Sequence, residues 1–288
     1  MRRDRIGAIG LVLGTSGNDN FLPLGLLKNL EREARRHEQR LIVSHVDDGR
    51  LEDKNYVPGI LRELAVDGLL IDYISNSPRR LAEMLDRYRV PAVWLNSKRK
   101  HRSVYVDDEE VGRRAAEHFA SHGHRCVAFL ANACHPDPAR WHYSLHDRAR
   151  GLAYGAGAHG MSAVPLPVAN DPGDPRTVAV LGDALRRNDA PTGILANSER
   201  EAALAFAAAA TAGLTVPRDL SLVALGPRSV QLPGLNVDTF VLPQGDLAAA
   251  AIVELNAALV QPQTSRPAVP VCFELLREHG STAPPRSR

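Results

Sequence analysis

The chain of 288 residues is poor in cysteine, in net charge and in long apolar runs, and each shortage removes a class of protein. Its three cysteines, Cys126, Cys134 and Cys272, are odd in number and nowhere form Cys-x-x-Cys, which argues against a disulfide framework and against a structural zinc site. Cys126 and Cys272 lie in strand-like stretches and are expected to serve as small buried hydrophobes. The formal charge of +2 is too balanced to demand nucleic acid, because a dedicated DNA-binding segment is more basic locally. No apolar stretch approaches the roughly 20 residues that span a bilayer. The opening MRRDRIGAIGLVLG sets arginines before an apolar run, but that run is short, broken by glycine and followed by GTSGNDN where a small-residue cleavage site would stand. A cytoplasmic protein is the expectation.

Catalytic phrases are also missing. No Walker loop or Gly-x-Gly-x-x-Gly follows a strand, no Gly-x-Ser-x-Gly elbow occurs, and none of the 11 histidines falls in His-Glu-x-x-His. His118 and His122 share one helix side with His124 close by, a pattern too sparse to predict a metal. The acidic run from Asp107 to Glu110 reads as helix-start charge favoured by the helix dipole, not as an acid/base couple. Neither an enzyme nor a bound cofactor is expected.

What the chain does have is a rhythm. IGAIGLVLG (6–14) predicts a strand, and residues 24–37 then place Leu26, Leu27, Leu30 and Ala34 at helical spacing. Strands at 40–46, 66–74 and 90–96 alternate with helices at 56–64 and after Pro78. The cadence restarts with a strand at 104–107, a helix at 109–122, GHRCVAFLAN (123–132), a helix from about 139 and a weaker strand at 164–168. A helix at 176–187, TGILAN (192–197), an alanine-rich helix at 200–212 and SLVALG (221–226) follow. A helix at 245–260 and a strand at 268–276 close the series. Strand alternating with helix implies βαβ crossovers and parallel sheets, and near-continuous Val/Ile/Leu strands imply sheets covered on both faces. Two doubly wound halves of similar size are the economical α/β reading. In EAALAFAAAATAG (201–213) the small side chains point to close helix packing, with Gly213 as a C-cap. The polar, proline-rich tail STAPPRSR is expected to fray.

Four phrases, AVDGLLI (65–71), GHRCVAFL (123–130), VPRDLSLVALG (216–226) and GSTAPP (280–285), occur in an order that resembles the effector-binding core of the LacI/GalR family of transcription regulators, from about Ile6 to Pro285. The resemblance implies a periplasmic-binding-protein-like type I fold, two parallel-sheet lobes joined by a three-strand hinge. It implies a first lobe of 1–106 plus 240–264 and a second of 107–239 plus 265–288. It further implies a homodimer, and a small-molecule effector, a carbohydrate or sugar acid, in the cleft between lobes. The family's helix-turn-helix headpiece has no counterpart before Ile6, so operator DNA is expected to be reached only through a headpiece missing from this chain.

In open α/β sheets, ligands sit beyond the carboxyl ends of the strands, so polar or aromatic residues just after strands are the candidates. After the first strand the resemblance implies Ser16 and Phe21, because the family's loop there supplies a small polar residue and an aromatic, with anchoring of the next helix as the alternative role of Phe21. Ser75 follows 66–74 and Asn96 follows 90–96, where the basic run from Lys98 to Arg102 reads as a solvated turn. DRARGLAYG (147–155) resembles the family's Arg-x-x-Gly motif, which makes Arg148 the leading candidate: its guanidinium offers several donors in a rigid plane. Asn197, ending TGILAN, offers both a donor and an acceptor, as polyol recognition requires, and helix capping is its alternative role. The chain departs from the family where aspartates are usual: Arg228 follows SLVALG, Asn96 follows the fourth strand, and Leu242 replaces a polar residue. Either Arg228 simply points to solvent, or the pocket has decayed, or the ligand carries negative charge and pairs with Arg148 or Arg228. The function implied is the sensory core of a transcription regulator, with a stand-alone sugar-binding solute receptor as the alternative.

Overall fold

A computed structural model describes residues 6–14, 22–47, 49–53, 55–63, 65–73, 79–131, 141–168, 174–274, 276 and 279–286. Its first segment holds β1 (Ala8–Gly14), α1 (Leu24–Arg36), β2 (Arg40–Val46), a short 3-10 turn, α2 (Gly59–Arg62), β3 (Gly68–Asp72), α3 (Arg79–Tyr88), β4 (Ala92–Leu95) and β5 (Ser103–Val106). The middle segment holds α4 (Asp108–Ser121), β6 (Cys126–Leu130), α5 (Tyr143–Ala158), β7 (Ser162–Pro165), α6 (Arg176–Leu185), β8 (Gly193–Ala196), α7 (Glu199–Thr211), β9 (Ser221–Gly226), β10 (Val230–Leu232) and β11 (Leu235–Val241). Two further elements are α8 (Gln244–Val260) and β12 (Val269–Val271).

The chain divides into two compact units: residues 1–106 with 243–271, and residues 107–242 with 272–288. The first unit carries a six-stranded sheet in the order β12-β5-β4-β3-β1-β2, with every pairing parallel. The second carries β10-β11-β9-β8-β6-β7, parallel except for the antiparallel β10–β11 hairpin. Each sheet winds outward in both directions from its first strand, which fixes a topological switch point between β1 and β3 in one and between β6 and β8 in the other.

Local sequence explains these elements. Every residue of β1, β3, β4 and β8 is buried, as strands covered on both faces must be, whereas edge strands β2 and β7 turn mostly exposed residues outward. In α1, Leu26, Leu30 and Ala34 recur every fourth residue and are buried, while Glu31, Arg32, Arg35 and Arg36 face water. In α7, Ala202, Ala205, Ala208 and Ala209 pack into the core formed with β8 and β9. That helix ends as its sequence demands: Gly213 has φ +75° and the Leu214 amide donates back to the Ala209 carbonyl, a Schellman stop.

Four local expectations change. Residues 265–271 were expected in the second lobe, but β12 pairs with β5 in the first unit, and residues 240 and 241 belong to β11 in the second. The weaker strand lies at Ser162–Pro165, and the β10–β11 hairpin was not foreseen, because its residues lack the long apolar run of the central strands. Cys272 is exposed, just beyond the end of β12, and is not a core residue.

The tail does not fray through its GST phrase. Asp238 of β11, 1% exposed, accepts from the amides of His279 (2.5 Å), Gly280 (2.9 Å) and Ser281 (3.3 Å) and from the Thr282 hydroxyl (2.6 Å). The Ser281 hydroxyl accepts from the Asp238 amide (2.7 Å) and donates to the Leu222 carbonyl. Ala283 donates to Ser221 at 3.0 Å, and His118 meets Thr282 at 3.1 Å. Glycine, serine and threonine serve here because a carboxylate buried without donors would be costly.

Candidate functional site

The switch point of the second sheet lies between β6 and β8, and Asn197 stands on it. It directly follows β8, and its amide donates to the carbonyl of Leu130, the last residue of β6 (2.9 Å). Its Oδ1 accepts from Arg148 Nη1 at 2.6 Å. Arg148 comes from α5 and is held on its other side by Asp108 of α4: Nε donates at 2.8 Å and Nη2 lies 2.7 Å from the same carboxylate oxygen. The Phe273 ring, buried, lies 5.6 Å from the guanidinium and adds a cation–π contact. The Asp108 side chain is 1% exposed and that of Arg148 14%, so one end of the row is sealed and the other reaches the surface.

The Arg-x-x-Gly spacing has a steric cause. A Cβ on Gly151 would fall on the carbonyl of Glu109, and one on Gly112 would lie 2.5 Å from the Arg148 carbonyl and 2.7 Å from the Leu152 nitrogen. Glycine at both positions lets α4 and α5 approach backbone to backbone, which brings Asp108 under Arg148. Burial pushes the Asp108 carboxyl's pKa above the ordinary carboxylate range, and the charge and hydrogen bond of Arg148 oppose that shift. Among the described residues, this bonding leaves one N–H on each of Nη1 and Nη2, together with the Asn197 amide nitrogen, free to meet a ligand.

Arg228, the other cation expected here, is occupied differently. Its side chain is 72% exposed and reaches Glu199 at 3.3 Å, so it is a surface pair and not a member of the row. Asn96 follows β4 in the first unit with φ +51°, and its amide donates to the Val104 carbonyl (2.8 Å). Asparagine tolerates that left-handed turn, which gives it a backbone role. Ser16, Phe21 and Ser75 lie outside the described residues.

Asp108 was missed in the sequence because it was grouped with its neighbours as helix-start charge. The four acids divide the work. Asp107 is the N-cap, accepting from the Glu110 amide at 3.0 Å; Glu109 faces Arg150 and Arg113; Glu110 faces Arg114; only Asp108 turns inward. The cue available was helical geometry, since four consecutive positions cannot all face water. Among the described residues, no group of three or more His, Cys, Asp or Glu side chains could hold a metal. His124 is buried against Thr192 (2.8 Å) and edge-on to Phe119, and burial pushes its pKa down to about 4.

Comparison with known proteins identifies this architecture. The model of the periplasmic binding protein-like domain matches residues 116–281, more than half of the chain. The chain belongs to that family. Among curated proteins it resembles the "Probable HTH-type transcriptional regulator EndR" of Paenibacillus polymyxa, 23% identical over 203 residues. That alignment covers 69% of this chain and 58% of the relative's length. Among solved structures, a LacI family transcriptional regulator from Mycobacterium smegmatis has a TM-score of 0.70 at 23% identity, with 96% of this chain and all of that one (100%) covered. A LacI family regulator from Enterococcus faecium with bound ribose has a TM-score of 0.70 at 19% identity, covering 97% and 100%. At these identities the structural likeness establishes the fold shared with LacI family regulators.

Proposed function

We propose that this chain is the effector-sensing core of a LacI/GalR-type transcription regulator and that it binds a small sugar-like ligand at the Asp108–Arg148–Asn197 row. The observation that carries the reading is the row itself: a guanidinium fixed by a buried carboxylate, presenting donors beside an amide at the switch point of a doubly wound sheet. The curated relative carries a regulator's name, and one structural relative holds ribose, which agrees with this assignment. Regulation would follow from the ligand's differential affinity for two states of the protein, passed on to operator DNA through a headpiece. A homodimer and a cytoplasmic location belong to the same proposal, and no helix among the described residues is long and apolar enough to cross a membrane.

The charge arrangement favours a neutral ligand over an acidic one. Arg148 is already matched by Asp108 and Arg228 by Glu199, so a sugar carboxylate would have to compete with a carboxylate at either cation. A thermal-shift screen of neutral sugars, sugar acids and sugar phosphates tests the reading, because a ligand that binds only the folded state raises its apparent stability. Neutral sugars are expected to raise the melting temperature. A response confined to acids would overturn the neutral-ligand reading, and silence from every sugar class would count against the sensor.

A further inference from the structure

The basic run from Lys98 to Arg102 is not a solvated turn throughout. Arg99 folds back so that its guanidinium stands 3.5 Å above the centre of the Trp94 ring, and Trp94 is itself only 7% exposed. Together they border a cavity of about 290 Å³ within the first unit. One wall is apolar, made by Ala82, Leu85 and Val90 beside Trp94, and the rim is cationic, made by Arg99, Lys100 and Arg102. The same lining contains one carboxylate, Asp86, which is exposed.

The rim is held in place by backbone hydrogen bonds. The Trp94 amide donates to the Arg102 carbonyl (2.8 Å), the Arg102 amide to the Arg266 carbonyl (3.0 Å) and the Ala268 amide to the Lys100 carbonyl (3.1 Å). His101 bridges Pro267, and Arg102 takes a left-handed φ of +49° to complete the turn. A guanidinium stacked on indole keeps its N–H edge in a fixed direction, so little freedom is lost when it meets an anion. Burial also lowers the pKa of Arg99 from its ordinary value, the mark of a cation that has shed part of its water.

We propose that this cavity is a second binding site, distinct from the Arg148 row, for a small organic carboxylate whose apolar body lies against Leu85, Val90 and Trp94 and whose charge meets Arg99 and Lys100. The volume sits at the lower end of the range for small-molecule sites, enough for a single-ring acid and too small for a peptide. The mixed lining sets the class: a bare anion would leave the apolar wall unused, and a neutral hydrocarbon would draw nothing from the cationic rim.

The test is calorimetric titration of the full chain with benzoate and, separately, with inorganic phosphate, alongside Trp94 fluorescence in the Trp141→Phe background. Benzoate is expected to bind saturably and to change Trp94 emission. Lys100→Glu, an exposed position, and Arg99→Met, which keeps an aliphatic stem over the indole, should each weaken binding by about tenfold or more, the scale of a lost charge-assisted pair. Arg148→Met should leave it unchanged, which separates this site from the sugar site. Saturable phosphate binding as tight as benzoate binding would overturn the carboxylate assignment. The absence of saturable benzoate binding, or binding indifferent to Lys100→Glu, would overturn the site.

Discussion

Replacing Gly112 by alanine should damage the row more than any conservative surface change. The added Cβ would lie 2.5 Å from the Arg148 carbonyl, 2.7 Å from the Leu152 nitrogen and 2.9 Å from the Gly151 carbonyl carbon, all backbone atoms that no rotamer change can move. Relieving these contacts means parting α4 and α5 by about 1 Å, given normal carbon contacts near 3.5 Å. Overpacking of this kind costs about 1–3 kcal/mol, against a helix-propensity gain of about 1 kcal/mol for alanine over glycine. The net expectation is a loss of up to about 2 kcal/mol. A built-in control sits on α5: a Cβ at Gly157 meets nothing within 4 Å, so Gly157→Ala should stabilise by about 0.5–1 kcal/mol. The chain has two tryptophans, Trp94 in the first unit and Trp141 in the second, so urea unfolding of a Trp94→Phe background reports the second unit alone. If Gly112→Ala unfolds at the same or a higher urea concentration than its parent, the close-approach account of Arg-x-x-Gly is wrong.

The units should respond to pH in opposite directions. Asp72, 4% exposed at the end of β3, has its pKa pushed up to about 7 by burial, so the first unit favours the protonated form. That contribution is whole below about pH 4 and is lost as pH rises through 7, so Asp72→Asn should add up to about 4 kcal/mol at pH 8 in a Trp141→Phe background. His124 is the reverse case: its pKa is pushed down to about 4, chiefly by burial and next by the His122 charge, so the second unit favours the neutral ring. Its contribution is whole above pH 6.5 and is lost as pH falls towards 4, a loss of up to about 3 kcal/mol that His124→Gln should remove from an acid titration. Asp238→Ala should release the tail by stripping acceptors from three amides and a hydroxyl, costing about 2–4 kcal/mol. Hydrogen exchange of residues 279–283 should then rise by orders of magnitude, and unchanged protection there would refute the latch.

How much of this was legible in advance depended on range along the chain. Continuous apolar strands and helical spacing sit within ten or so residues, and they announced the βαβ cadence, the alanine-rich helix and its Gly213 stop. Asn197 could be singled out because it follows a strand, and Arg148 because DRARGLAYG resembles the family's Arg-x-x-Gly motif, although the bond between them spans 49 residues. What stayed hidden was pairwise and distant. Asp108 looked like its acidic neighbours until α5 packed on α4, and the GST phrase looked like a loose tail because its anchor, Asp238, lies more than 40 residues earlier. The basic run at 98–102 read as surface because sequence gives no sign that Arg99 folds onto Trp94.

The most direct test of the sensor assignment is calorimetric titration of the best neutral sugar from the screen into wild-type, Asn197→Ala and Arg228→Ala proteins. The account predicts at least about tenfold weaker binding for Asn197→Ala, as expected for removing a polar partner from a ligand site, and a change within about twofold for Arg228→Ala. Unaltered affinity in Asn197→Ala, or a large loss confined to Arg228→Ala, would place the ligand elsewhere and contradict the account.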